Sequence, residues 1–259
     1  MIGLFNINTH TLDTSRYTNL LHDNIVTEFE DSIKNYVGAK YAVSFNSATS
    51  AIFLSLLNKN IILDVPSMIP PVVLNAIVTS GNKYTFNDNV DWVGDSYTLH
   101  DFDINKITLL KEMALNGMTY SHNNWERKIR FPGYKMYMNS IQADIAMNNF
   151  NLYEEKLSSL KKIRDIYNNE LGYSNTSNHL YRIEVDNREN FIVYMKTNGV
   201  WCGIHYEAAH LNSVYSLSDV ECPLSEEKSL RTVSIPFHER LTISEVNIII
   251  NRVKEYREK

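Results

Sequence analysis

The sequence predicts an α/β protein built on a mainly parallel sheet, with a second, smaller α/β unit following it. Three observations carry that expectation. Short β-like runs alternate with segments of helical spacing over residues 23–86. The connections between these segments are short, as in α/β units. The alternation then resumes from Tyr181 to the C-terminal helix.

Residues 23–37 have the spacing of an amphipathic helix, with Ile25, Phe29, Ile33 and Tyr36 on one face and Gly38 as its stop. Tyr41–Phe45 reads as a strand, Asn46–Ser50 as a turn of small hydroxyl residues, and Ala51–Leu57 as a helix. The apolar run Ile61–Val65, ended by Pro66, is a strand; Val72–Val78 is a helix stopped at Gly81; Lys83–Phe86 is a strand. Val90–Val93 has strand character, Ile107–Leu115 helical spacing, and residues 119–135 the look of a long irregular connection. From Asn139 to Leu171 the chain reads as helix, weakest at Asn148–Asn151, with a solvated charged face carrying Glu154, Lys161 and Arg164. Tyr181–Val185, Val200–Tyr206 and Arg231–Ile235 read as strands and Glu189–Thr197 as a helix. Thr242 and Glu245 form a capping box opening a helix over Ile243–Tyr256.

Composition narrows the function. The chain has 259 residues, 44% hydrophobic and 21% charged, which excludes a disordered or fibrous protein. A formal net charge of −5 implies no basic surface for nucleic acid. No apolar run is long enough for a membrane span, and MIGLFNINTH lacks the features of a signal peptide, so a cytoplasmic location is expected. Cys202 and Cys222 are too few for a zinc site and the histidines have no ligand spacing, so no metal is expected. The 30 asparagines are dispersed, which marks no low-complexity tract.

The Asn46–Ser50 turn carries the first chemical signal. A strand running through small hydroxyl residues into a helix presents free N–H groups and the positive end of the helix dipole, a place for a phosphate. The same turn is equally read as a plain N-cap in which Ser47 or Thr49 bonds its own helix start.

Tyr41-Ala-Val-Ser-Phe-Asn-Ser-Ala-Thr-Ser-Ala-Ile52 resembles the phosphate-binding segment of the DegT/DnrJ/EryC1/StrS family, nucleotide-sugar aminotransferases that use pyridoxal phosphate. The resemblance continues in order through Val65-Pro-Ser67, Phe86-Asn-Asp88, Asn116-Gly-Met118, Pro132-Gly-Tyr-Lys-Met-Tyr-Met-Asn-Ser-Ile-Gln-Ala143, Gly203-Ile-His-Tyr206 with His210 and Tyr215, and Ser234-Ile-Pro236. It implies a fold type I aminotransferase-like architecture with a truncated large-domain sheet of about four strands. Residues 1–132 would form the shortened cofactor-type domain, and 133–259 the linking helices and small domain. A homodimer would complete the site and cover the sheet edges.

Family members are considerably longer, and the material missing here comes from the middle, where the family keeps its catalytic Asp and Lys. Two threadings of residues 86–117 are open. In the compact one, Trp92–Ser96 and Phe102–Thr108 are remnants of the two catalytic motifs. Asp95 then pairs with the pyridine nitrogen and Lys106 carries the aldehyde. In the deleted one that core is gone and Lys106 is a surface residue at a helix start.

By the resemblance, Ser47, Ala48 and Thr49 hold the cofactor phosphate, Lys135 reaches it from a neighbouring subunit, and His205 and His210 lie near the substrate sugar. Departures are plain too. Asp101 replaces a phosphate-binding Ser, Met68-Ile-Pro70 lacks the aromatic residue expected to stack on the ring, and the family's glycine loop after the lysine is missing. The resemblance thus implies either an aminotransferase passing an amino group from glutamate to a nucleotide-linked keto-sugar in surface-polysaccharide biosynthesis, or a non-catalytic homologue that has lost the pyridoxal phosphate site and serves as a sugar-nucleotide-binding or assembly protein.

Overall fold

The computed structural model describes residues 1–6, 11–12, 14–21, 23–88, 104–121 and 123–258. Asp95 and Asp101, and the strand expected at Val90–Val93, lie outside the described residues.

The first unit opens with α1 (Asn24–Val37), started by the Asp23 side chain and stopped by Gly38, whose φ of 69° is the left-handed conformation that glycine tolerates best. Its buried face centres on Ile25, Val26 and Glu30, while Tyr36, expected on the apolar face, is exposed. Next comes α2 (Ala48–Leu56), which begins inside the turn expected at Asn46–Ser50, with Ser47 as its N-cap. β1 (Ile62–Pro66), α3 (Pro71–Thr79) and β2 (Lys83–Asn87) then form a βαβ unit. Its strands pair in parallel, with Val65 opposite Phe86. Pro71 opens α3 at the position where a missing N–H costs nothing. α3 packs on α2, and Leu56, Val65, Leu74, Ile77 and Phe86 share one apolar cluster.

Among the described residues this sheet has two strands, fewer than the expected four. Tyr41–Phe45 is a correction: it forms no strand, and its pairing is a single bridge between Phe45 and Tyr137. β-propensity alone does not make a strand when no neighbour supplies a ladder.

α4 (Ile104–Ala114) lies against α2 through Leu54, Leu110 and Ala114. The return segment bonds to its end, with Tyr134 N–H donating to Met113 O and Met136 N–H to Ala114 O. There Gly117 and Gly133 meet backbone to backbone. A Cβ on Gly117 would sit 1.8 Å from Phe131 O, and one on Gly133 would sit 2.1 Å from Gly117 N. Both glycines of the Asn116–Met118 and Pro132–Lys135 motifs are thereby explained.

α5 (Ser140–Asn151) and α6 (Tyr153–Leu171) break at Leu152, next to the expected weak point. α5 packs on α1, with Ala143 against Ile25 and Val26. The second unit pairs β3 (Tyr181–Glu184) antiparallel with β4 (Thr232–Ile235) and covers one face with α6, α7 (Arg188–Thr197) and α9 (Ile243–Arg257). Tyr167, Tyr181, Phe191, Ile183, Val233 and Ile249 are essentially fully buried in that core. Burial of each large apolar side chain is worth about 1.5–3 kcal/mol, and this is the better-filled of the two units.

Val200–Tyr206 is a second correction. It runs beside β4 but contributes isolated bridges, Val200 to Ile2 and Gly203 to Ser234. One helix is absent from the sequence expectations: α8 (Pro223–Arg231), which leads directly into β4. Two segments cross the expected division at residue 133: α5 lies on α1, and Ala209 and Cys222 join the βαβ cluster.

Candidate functional site

The start of α2 fits the phosphate expectation in part. The Ser47 hydroxyl accepts from Ser50 N–H at 3.1 Å, and Ser50 Oγ donates to Asn46 Oδ1 at 2.7 Å. The N–H groups of Ala48 and Thr49 occupy the helix positions that have no intrahelical acceptor. Ser47 and Ala48 are exposed and Thr49 half-buried. Lys135 is beside this turn within the same chain: Asn46 N–H donates to Met136 O at 2.8 Å and Asn46 Nδ2 to Lys135 O at 3.5 Å. Asn46, which the sequence reading left without a role, is the residue that joins the two.

Lys106 is elsewhere. It stands in the first turn of α4, whereas the last turn of that helix is the one that meets Met136. Lys106 and Ala114 are eight residues apart, which is about 12 Å of helix rise. Between Phe86 and Met118 the sequence has one other lysine, Lys111. Its ammonium is 2.6 Å from the carboxylate of buried Glu30, which also accepts from the N–H and hydroxyl of Ser44. Both lysines of the segment therefore sit on α4, one at its far end and one engaged in an ion pair.

Pyridoxal phosphate held as a Schiff base needs a lysine within reach of the ring while the phosphate occupies the cradle. Among the described residues Ser47 caps α2, and Lys106 stands in the first turn of α4, the helix that packs on α2. At Met68-Ile-Pro70, where the resemblance places a stacking aromatic residue, Met68 and Ile69 are buried.

A second cluster joins the two units. Ser67, just past β1, is fully buried with its Oγ 2.6 Å from His210 Nδ1, and His210 Nε2 lies 3.1 Å from Glu226 on α8. Asp88 accepts from the N–H groups of Leu224 and Ser225 at the start of α8. Burial alone would raise the Asp88 pKa, but the bonds from Ser225 and Leu224 hold it below the usual carboxylate value. Both ring nitrogens of His210 are thus engaged inside the fold. Ser67 and Asp88 stand in the sequence as motif members without a role and Glu226 was missed, because the three lie far apart along the chain.

His205 lies on the polar face of the small sheet. Its Nδ1 is 3.0 Å from Ser234 Oγ, and Ser234 pairs across the ladder with Arg182. Burial lowers the His205 pKa, and His179 and the Arg182 guanidinium lower it further. Arg182 and Glu184 alternate along β3 with buried Tyr181 and Ile183, so they project away from the apolar core. Over this face lies a cleft of about 420 Å³, bounded by Met68, Lys228, Thr232 and the loop 173–177. Arg182 and this loop were not foreseen; the alternation Tyr181-Arg-Ile-Glu184 was the available signal.

Among the described residues no three His, Cys, Asp or Glu side chains gather as a metal would require, and no helix is long and apolar enough to cross a membrane.

Comparison with known proteins adds the following. The model of the DegT/DnrJ/EryC1/StrS aminotransferase family matches residues 7–92 and 94–254. The putative sugar aminotransferase Spr1654 from Streptococcus pneumoniae, in its pyridoxal phosphate form, superposes with a TM-score of 0.81 at 17% identity, covering 95% of this chain and 94% of that one. Helicobacter pylori PseC, an aminotransferase involved in pseudoaminic acid biosynthesis, gives 0.79 at 15% identity with the same coverage. An uncharacterised protein from Methanocaldococcus jannaschii, MJ1066, is 21% identical over 342 aligned residues, 88% of this chain and 89% of its own. That alignment is longer than the chain, so the archaeal protein has residues that this one lacks. The fold is that of the pyridoxal phosphate-dependent sugar aminotransferases.

Proposed function

The chain belongs to the DegT/DnrJ/EryC1/StrS aminotransferase family, and from that premise we propose that it is a protein of nucleotide-sugar metabolism that binds a nucleotide-linked sugar without forming a Schiff base on its own lysine. The observation that carries this reading is the place of Lys106 in the first turn of α4, at the opposite end of that helix from Ala114, which bonds to Met136. In this reading the chain acts in the cytoplasm as a sugar-nucleotide-binding or assembly protein of surface-polysaccharide biosynthesis. As a homodimer it would cover the exposed edge at Ile61 and Ile62.

One observation favours a second reading. The α2 cradle keeps its capped start and its exposed N–H groups, as the compact threading requires. Under that threading the chain is a glutamate-dependent sugar aminotransferase with Lys106 and Asp95 in the catalytic roles. Calorimetric titration with uridine and thymidine diphosphate hexoses tests the first reading. Saturable binding by protein free of pyridoxal phosphate is the expected result. Absence of binding until pyridoxal phosphate is added, followed by glutamate-dependent amination of a keto-sugar nucleotide, would establish the second.

A further inference from the structure

Residues 2–6 run as a strap beside the small sheet, and each of the five is held by a different contact. Ile2 N–H donates to Gly199 O at 2.7 Å, and Ile2 O accepts from Trp201 N–H at 3.0 Å. The backbone of Gly3 is hydrogen-bonded to His238. Leu4 fills the space over Gly203, where a Cβ would sit 2.6 Å from Leu4 Cδ2 and 2.8 Å from His205 Cε1. Phe5 packs on two imidazoles: it stacks on His179 with ring centroids 6.4 Å apart and meets His205 in a T-shaped contact at 5.9 Å. Asn6 Nδ2 donates to Glu239 Oε1 at 3.2 Å. Three histidines that stand far apart in the sequence thus converge on three consecutive strap residues, Gly3, Leu4 and Phe5.

We infer that this strap is a pH-sensitive clasp, held on the small unit while His179, His205 and His238 are neutral and released when they take up protons. The contacts suit the uncharged rings. A proton on His205 sets a cation against His179 and against Arg182 of β3, and its other polar neighbours are the hydroxyls of Ser234 and Tyr206. A proton on His179 places a second cation on the same Phe5 ring. The phenyl face attracts an imidazolium, but desolvation of both rings opposes the charge and prevails. His238 Nδ1 is buried with no hydrogen-bond partner among the described residues, so a proton added there has no acceptor. Glu239 and Glu245 of α9 favour a charge on His238, while burial and Arg240 oppose it; Glu239 also faces Lys156 of α6 at 3.8 Å. The released chain regains the ordinary histidine value of about 6.5. The clasp is therefore closed above that pH and loosens as pH falls below it. Release uncovers Gly203 and the ring of His205, the start of the Gly203–Tyr206 motif.

The experiment is amide hydrogen exchange of the full chain at pH 7.5 and pH 5.5, with rates corrected for the intrinsic effect of pH. Two amides two residues apart separate strap release from unfolding. Trp201 N–H is bonded to Ile2 O and reports the strap, whereas Gly203 N–H is bonded to Ser234 O at 3.0 Å and reports the sheet beneath it. In the wild type, acidification is expected to lower the protection of Trp201 by about tenfold while Gly203 keeps its own. Phe5→Ala should leave Trp201 poorly protected at both pH values, with Gly203 still protected. The double variant His179→Asn with His205→Asn should lose most of the pH dependence at Trp201. Protection of Trp201 that is the same at both pH values in the wild type overturns the clasp. So does a parallel loss at Trp201 and Gly203, which would mean that the whole unit opens, and so does a pH dependence that survives unchanged in the double variant.

Discussion

Ser67 Oγ and His210 Nδ1 lie 2.6 Å apart with both residues buried, and with the 2.9 Å bond from Ala209 N–H to Ser67 O this contact ties the end of β1 to the segment that precedes α8. Glu226 engages the other face of the imidazole, and Asp88 caps the helix on which Glu226 sits. Ser67→Ala leaves His210 Nδ1 buried without its partner, a loss of about 1–3 kcal/mol. Urea unfolding should show a lower midpoint with an unchanged slope. A midpoint like that of the wild type would mean that the two units are held by other contacts.

Gly117 and Gly133 approach so closely that neither has room for a side chain. Gly133→Ala forces a methyl group against the backbone of Asn116 and Gly117, and no side-chain rotation relieves that. The expected cost is about 3 kcal/mol or more, at the upper end of overpacking effects. Thermal unfolding of the variant measures it, and a shift within error would contradict the described packing of the 115–136 segment.

Lys111 and Glu30 differ in exposure, 31% against 7% of the side chain. Removing the lysine strands a buried carboxylate whose remaining donors come from Ser44. Lys111→Met should therefore destabilise by about 1–3 kcal/mol, less than a fully buried pair because the ammonium is partly hydrated. The double variant Lys111→Met with Glu30→Gln should recover part of the loss.

Three histidines, His179, His205 and His238, have their pKa values lowered, in each case chiefly by burial. In the folded state they resist protonation, while in the unfolded chain they take it up near the ordinary histidine value of about 6.5. Below that value the unfolded state binds more protons, so stability falls as pH falls through this window. The melting temperature should drop between pH 7.5 and pH 5.5, and His205→Asn should reduce the drop. A melting temperature that rises on acidification over this interval would contradict the assignment.

What was legible in the sequence was what local chemistry dictates. The capping box of α9, the stop of α1 at Gly38 and the β1-α3-β2 order all follow from neighbouring residues. The Tyr41–Phe45 and Val200–Tyr206 runs looked like strands because their side chains suit a sheet, yet each finds only bridges, since pairing depends on a distant partner. α8 escaped notice because Asp88, which caps it, stands some way back in the chain beyond β2. The Arg182, Ser234 and His205 neighbourhood needs the register of β3 on β4, which no local pattern reveals. For Lys106 the sequence left two threadings open. The difference between them lies in residues 89–103, outside the described residues, and in the place of α4, which packs on α2 through Leu110 and Ala114.

The most direct test of the central claim is incubation of the purified protein with pyridoxal phosphate, followed by borohydride reduction and peptide mapping. The account predicts no aldimine absorbance band and no reduced adduct on Lys106. A stoichiometric adduct on Lys106 would contradict it and return the chain to the lysine-based aminotransferases.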